Sequence, residues 1–291
     1  MRRAGLLPLL AALLCLAAGA ALAETEPLYL HQIAIGHADA YLLTVGDTVV
    51  VVDAGLDTDS NVNTNDRLFG YFEALGIDHV DAHFVTHWHN DHAYNVTAIN
   101  EIAGTADTVV YGTSAALPET WQPLAHGRYQ QLRDGDRVRV GPLEVLCIGP
   151  EDSGLDGFNN RHSLNFIVYY GEHKFLFTGD WVDGSVRRRW EAEIKDIDVL
   201  SFPHHGLTPI CMTSPVIRVM SPRVVLIPGP LKNENNVKHF MLTESSVRFY
   251  PRFYSNNDGN ILVISDGVTL RTAYGVKPGE LPEGKPVKER R

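Results

Sequence analysis

Cysteine is scarce: three in 291 residues, and Cys15 lies in an N-terminal apolar run, which leaves Cys147 and Cys211 for a folded domain. A disulfide scaffold is thereby excluded, while one bridge between the two and two independent buried thiols both stay open. Positive charge is also short, with 25 Lys and Arg against 35 Asp and Glu for a formal charge of −10. Non-specific binders of polyanions carry the opposite sign, so long nucleic acid is a poor fit as a partner. Long apolar runs are missing beyond the N-terminus, so nothing later in the chain predicts a membrane span. No internal repeat and no Pro- or Gly-rich linker divides the middle, which argues for a single domain. What is there, 44% hydrophobic and 21% charged residues, excludes collagen-like, low-complexity and wholly disordered chains.

The N-terminus has its own pattern. Arg2 and Arg3 precede an apolar stretch from Leu6 to about Ala18, followed by Ala21, Leu22 and Ala23. A short basic region, a hydrophobic stretch and a small-x-small site predict a secretory signal cleaved after Ala23, and hence a secreted or periplasmic product. A membrane anchor is the alternative, but the run is short for a bilayer. Leu14 stands where lipidation at Cys15 needs a small residue. Loss of the two arginines takes the mature charge to about −12. The expected division is a signal at 1–23, one domain over 24–275, and a solvated, poorly ordered tail over 276–291, rich in Pro, Gly and charge.

Within the domain, β-branched runs ending in Gly, Asp or Pro predict strands over Leu28–Ile35, Ala40–Thr44, Thr48–Asp53, His83–Thr86, Thr108–Tyr111, Leu143–Ile148, Leu164–Tyr170 and Lys174–Thr178. Further strands are predicted over Val199–Phe202, Val224–Pro228, Val247–Tyr250, Asn260–Ser265 and Thr269–Ala273. Amphipathic stretches at Leu68–Leu75, Trp181–Ile194 and Pro215–Met220 suit helices. A strand meander followed by strands separated by helices is the order of a layered α/β protein.

The most specific signal is Thr86-His87-Trp88-His89-Asn90-Asp91-His92, directly after an apolar strand. With only 13 His in 291 residues, three at set places around one Asp are far too rare for chance. Imidazoles two apart on a turn can grip one cation; a carboxylate and a third imidazole one step on can grip its neighbour. Other candidate ligands stand at strand ends: Asp180 in Thr178-Gly179-Asp180, His204 and His205 in Pro203-His204-His205-Gly206, and His162 just before Leu164. Asp39 and Asp53 are candidates to orient a ligand imidazole, or simply to cap turns. Trp88 and His37 are candidates to wall a cleft, with packing and a surface turn as the plainer readings. Arg187-Arg188-Arg189 reads as a solvated helix face before it reads as a phosphate patch.

In this order the residues resemble the metallo-β-lactamase fold superfamily, and more narrowly its ComEC-like competence-protein branch. The resemblance rests on Gly36-His37-Ala38-Asp39, Val52-Asp53-Ala54-Gly55, Thr86–His92, Asn160-Arg161-His162-Ser163-Leu164, Thr178–Asp180, Pro203–Gly206 and Ser265-Asp266-Gly267. It covers Leu28 to Tyr274 and implies an αββα sandwich with two divalent metal ions at the sheet edges. By resemblance, one metal takes His87, His89 and His162, and the other takes Asp91, His92 and His204, or His205 in its place. Asp180 would bridge them. Asp91, Asp180 and His205 make the expected catalytic set, with His205 binding substrate or protonating the leaving group, or exchanging roles with His204. Zn²⁺ is the default for such a nitrogen-rich set, with Mn²⁺ or Fe also compatible.

Four departures from the branch stand out. Ala38 replaces a Gly, and His162 replaces an Asn, which would restore a third imidazole. Leu207-Thr208-Pro209 stands where a Ser follows, and a Gly-His-Pro-His element near Asn233 is missing, with His239 only loosely near it. The leading expectation is an exported hydrolase of a phosphodiester or related ester that is small or short-chain, since two cations can lower the pKa of a shared water. Lactone or β-lactam hydrolysis is the second enzyme reading, favoured by His162. A non-catalytic metal-binding module of the cell envelope is the alternative of another class.

Overall fold

Two β-sheets face each other across a shared core, and helices cover their outer faces. In chain order, β1 (Leu28–Gln32), β2 (Ala40–Val45), β3 (Thr48–Ala54), β4 (Val80–Phe84), β5 (Gly104–Gly112) and β6 (Arg128–Gln131) build most of the first sheet. The second holds β7 (Arg137–Val140), β8 (Leu143–Gly149), β9 (Asn165–Tyr170), β10 (His173–Phe177), β11 (Val199–Ser201), β12 (Val224–Ile227) and β13 (Arg252–Tyr254). The chain then returns to the first sheet, where β14 (Ile261–Ser265) pairs with β1, and β15 (Leu270–Tyr274) and β16 (Lys285–Pro286) extend that edge. This computed structural model describes residues 26–56, 64–121, 127–151, 156–182, 189–207, 211–229 and 237–290. The expected signal segment lies outside them, and among the described residues no helix is long and apolar enough to cross a membrane.

The layers follow from the patterning. Strand alternation sends Leu30, Leu43, Val52 and Phe84 inward from the first sheet to meet Val145, Phe166, Phe175 and Phe177 from the second. The opposite face of the first sheet, with Leu42, Val49 and Val51, packs under α1 (Thr64–Leu75) and α3 (Val96–Ala103) through Leu68, Tyr71, Phe72, Ile99 and Ala103. The opposite face of the second packs under α4 (Ser214–Met220) and α5 (Val237–Val247) through Ile217, Met220 and Val247. This is the αββα arrangement expected. β3, β4, β5 and β6 pair in parallel, as do β10, β11, β12 and β13. Their carboxyl ends therefore share one edge of the sandwich, where α/β folds place their sites.

Several expectations are corrected. Val247–Tyr250 is not a strand: α5 ends at Val247, and β13 begins only at Arg252, after Pro251, which has no N–H for a ladder. The helix α3 was missed, although Val96, Ile99, Asn100 and Ala103 mark one buried face at helical spacing. The helix expected over Trp181–Ile194 falls partly on 183–188, outside the described residues; Trp181 itself is buried. The tail is docked, although most of its residues stay exposed to solvent. β16 pairs with β15, and buried Arg223 donates to the carbonyls of Val287 and Lys288 and to Glu289. Arg290 reaches Asp198 at 3.1 Å. Charge in the tail is used to pair across the two sheets, which composition could not reveal.

Two buried histidines on the outer face of the first sheet make stability pH-dependent. Burial lowers His31, which contacts the Tyr71 hydroxyl at 2.9 Å, to about 4, and lowers His83 to about 3. Both lie below the ~6.5 of an unfolded histidine, so the unfolded chain binds more protons in acid. Their contribution is complete above about pH 6.5 and is lost as pH falls towards 4 and 3, at up to about 1.4 kcal/mol per pH unit each. Urea unfolding between pH 7 and pH 4 should show this slope, and H83Q should flatten it. An unchanged slope in H83Q would show that His83 is not held neutral.

Candidate metal centre

The turn after β4 carries Thr86–His92 into α2 (Asn90–Ala93), and neighbouring turns clamp it. Asp39 N–H donates to the Asp91 carbonyl at 2.9 Å, and Leu56 N–H to the Asn90 carbonyl at 2.9 Å. Gly55 passes so close that a Cβ there would lie 1.8 Å from the Asp91 oxygen, so only glycine fits. Gly179, at φ +47°, brings the turn after β10 against Thr86 in the same way. Its neighbour Asp180 donates its backbone N–H to the Ser163 hydroxyl oxygen (3.1 Å), and His204 N–H donates to the Gly179 carbonyl (3.0 Å). Three non-glycine residues here hold left-handed backbone: Asp53 at φ 52°, His204 at 54° and His205 at 51°. Such strain persists only where the surroundings over-determine it, and it concentrates at functional sites.

The donor atoms converge in two groups that share Asp180. In one, Asp180 Oδ1 lies 3.0 Å from His92 Nε2 and 3.7 Å from His205 Nε2, and Asp91 Oδ2 lies 3.2 Å from His205 Nε2. In the other, His87 Nε2 lies 2.9 Å from His89 Nδ1 and 3.8 Å from Asp180 Oδ2. Ligands about 2 Å from a tetrahedral ion stand roughly 3.4 Å apart, so both groups have a suitable span. The outward ring nitrogens are committed. His92 Nδ1 faces Asp53 Oδ2 at 3.0 Å, His205 Nδ1 faces the Pro228 carbonyl at 3.0 Å and Asp39 Oδ1 at 3.1 Å, and His89 Nε2 donates to the Phe158 carbonyl at 2.8 Å. Acceptors at those positions hold the proton there and turn the other nitrogen's lone pair to the centre.

The electrostatics favour added positive charge. Burial opposes ionisation of Asp180, yet His92, His205 and His87 hold it well below the usual carboxylate range. Burial likewise opposes a charge on His92 and His205, but the surrounding carboxylates outweigh it, raising His92 well above normal and His205 to about 10. The field that pulls protons onto His92 and His205 would equally hold a divalent cation, while burial holds His87 well below the ordinary histidine value, which keeps its ring neutral for ligation. Among the described residues, buried His92 Nε2 and Asp180 Oδ1 face each other at 3.0 Å and make no further hydrogen bond, as expected of atoms shaped for metal. The residues fit two ions.

Comparison with known proteins agrees. A family profile for the metallo-beta-lactamase superfamily matches residues 34–208. The chain belongs to this superfamily. Its members are mostly metal-dependent hydrolases. A metallo-beta-lactamase fold protein, YhfI from Bacillus subtilis, superposes with a TM-score of 0.52 at 14% identity, covering 78% of this chain and 95% of that one. CmlA, a diiron beta-hydroxylase from Streptomyces venezuelae, superposes with a TM-score of 0.52 at 15% identity, covering 79% of this chain and 53% of that one. The chain therefore spans about half of CmlA. These likenesses show the fold. No curated protein matches.

Against the superfamily pattern, the structure brings together His87, His89, Asp91, His92, Asp180 and His205. It places His205, rather than the preferred His204, in the group with Asp91 and His92, because His205 lies between Asp39 and Asp91. With both ring nitrogens engaged, His205 is also a poor proton donor for a leaving group. His162 does not reach His87 and His89: its Nδ1 lies 2.9 Å from Asp156 Oδ1, at the end of the 3₁₀ turn Asn160–His162. The Asn160 amide nitrogen lies 3.2 Å from His204 Nε2. Neither Asn160 nor Phe158, which acts through its backbone carbonyl, carries a sequence signal for a role here. Trp88 is core, donating to Ser114 and packing on Trp121. His37 lies edge-on against the His205 ring, at 4.5 Å between centroids. Arg189 pairs with Asp134 at 2.6 Å; Arg187 and Arg188 lie outside the described residues, as do Thr208, Pro209 and Asn233 and the His239 side chain. Cys147 and Cys211 are separate buried thiols.

Asp53 accepts from Thr86 N–H (2.8 Å), the Thr86 hydroxyl (2.8 Å) and His92. Asp53→Asn keeps its size and removes its charge. Metal affinity, measured by competition with a chelating dye, should fall roughly 10- to 100-fold while the fold is retained. An unchanged affinity would show that Asp53 only braces the turn.

Proposed function

We propose that this protein is an exported dinuclear metal-dependent hydrolase of a phosphodiester or related ester. The observation that carries the reading is Asp180, buried at 1% exposure, with one oxygen on each donor group. One ion would be held by Asp91, His92, Asp180 and His205, the other by His87, His89 and Asp180. When bound, two such ions would supply a nucleophilic water at neutral pH and charge neutralisation at the attacked centre. The chain's own residues do the positioning. Asp53 and Asp39 fix the His92 and His205 rings, Phe158 fixes His89, and His37 packs over His205. Zn²⁺ suits the nitrogen donors, and Mn²⁺ or Fe suits the carboxylates nearly as well.

The ComEC-like turns support a phosphodiester, and the N-terminal pattern supports export. The acidic composition supports a small or short-chain substrate. The lactone or β-lactam reading leans on His162 as a third imidazole, whose Nδ1 here lies 2.9 Å from Asp156 Oδ1. Metal-loaded protein should contain close to two ions per chain and turn over bis(p-nitrophenyl) phosphate faster than nitrocefin or an acyl-lactone. Protein that retains no metal after loading would end the dinuclear reading, and a faster lactone or nitrocefin reaction would reassign the substrate.

A further inference from the structure

The geometry points to His204, not His162, as the imidazole that completes the His87–His89 group, so that the tandem histidines serve one ion each. This rests on the dinuclear reading above. Two consecutive left-handed residues, His204 at φ 54° and His205 at φ 51°, are an unfavourable backbone for side chains with a Cβ. Their effect is to bring both rings to the two oxygens of a single carboxylate. His205 Nε2 lies 3.7 Å from Asp180 Oδ1, and His204 Nε2 lies 3.5 Å from Asp180 Oδ2. Oδ2 is the oxygen that faces His87 Nε2, so His204 stands on the side of the other ion.

The surroundings of His204 agree. Its backbone N–H donates to the Gly179 carbonyl at 3.0 Å, which ties it to the turn that carries Asp180. The Asn160 amide nitrogen lies 3.2 Å from Nε2, and Nε2 would exchange that contact for the ion, since its one lone pair serves a single partner. Among the described residues, buried Nδ1 has no partner. Adding His204 turns a set of three donors into His87 Nε2, His89 Nδ1, Asp180 Oδ2 and His204 Nε2, four protein donors to which a water would add as a fifth ligand. The ring stands off the His87–His89 pair and has to turn inward about its side-chain torsions as the ion binds. His162 offers no such approach, because Asp156 engages its ring and Thr113 donates to its carbonyl at 2.8 Å.

The test is metal content and affinity, read independently of activity. His204→Gly removes the ring and relaxes the left-handed backbone, so the variant should fold; His204→Asn, which also tolerates that backbone, is the second variant. Zn²⁺ bound per chain is counted after dialysis, and stepwise affinity is measured by chelator competition, with circular dichroism to confirm folding. Wild type should bind two ions and His162→Ala should keep both. H204G should fall to about one, or bind its weaker ion at least about tenfold less tightly. Two ions of unchanged affinity in both H204G and H204N, or loss of an ion in His162→Ala, would overturn the assignment to His204. Wild type that itself fails to bind two would instead overturn the dinuclear reading.

Discussion

Replacing Asp180 with alanine is expected to lower turnover of the best substrate on the order of 10³-fold or more, and to take metal content below two ions per chain. The size follows from what one carboxylate does here. It faces His92 and His205 through one oxygen, and His87 and His204 through the other. No other described residue belongs to both the Asp91–His92–His205 and the His87–His89 groups. Its removal therefore damages both groups and leaves neighbouring imidazoles that no longer share a counter-charge. Steady-state kinetics and metal analysis on the same preparation check the outcome. A variant with two ions and near-normal turnover would show that Asp180 does not link the groups.

Phe166→Ala should cost about 3–5 kcal/mol of stability, the range for deleting a buried aromatic ring. Phe166 is fully buried in β9 and stacks on Phe84 of the opposite sheet, at 4.9 Å and 24°, and on Phe177, at 5.2 Å and 21°. Phe84 stacks in turn on Tyr111 at 4.8 Å. This stack bridges the two sheets directly beneath the site. Phe84 precedes the Thr86–His92 turn, Phe177 precedes the Asp180 turn, and Phe166 follows Ser163. Chemical denaturation measures the loss, and metal affinity should weaken with it, since the floor that sets the spacing of the turns has a hole. A cost below about 1 kcal/mol would mean that the neighbours collapse into the space.

The layered class was legible because it depends on local periodicity. Val49–Val52 and Val224–Ile227 read as buried strands in any context. The strand expected at Val247–Tyr250 failed because burial inside a helix end and burial in a strand leave the same apolar mark. The docked tail was invisible for a different reason: Arg223 and Arg290 find Asp198 and the tail carbonyls only once distant segments meet.

For the site, the chain by itself determined the donor inventory. The spacing of His87, His89, Asp91 and His92 places four ligands on one turn, and Asp180 and the His204–His205 pair stand at strand ends whatever the details of packing. Tertiary structure decided which donors meet. Whether His162 or Asn160 faces the centre depends on a turn held by Asp156 and Thr113, and whether His204 or His205 enters a given group depends on left-handed backbone, Asp39 and the Pro228 carbonyl. Sequence spacing states that ligands are near one another along the chain. Only packing, acting through carboxylates tens of residues away, sets the direction in which each ring nitrogen points.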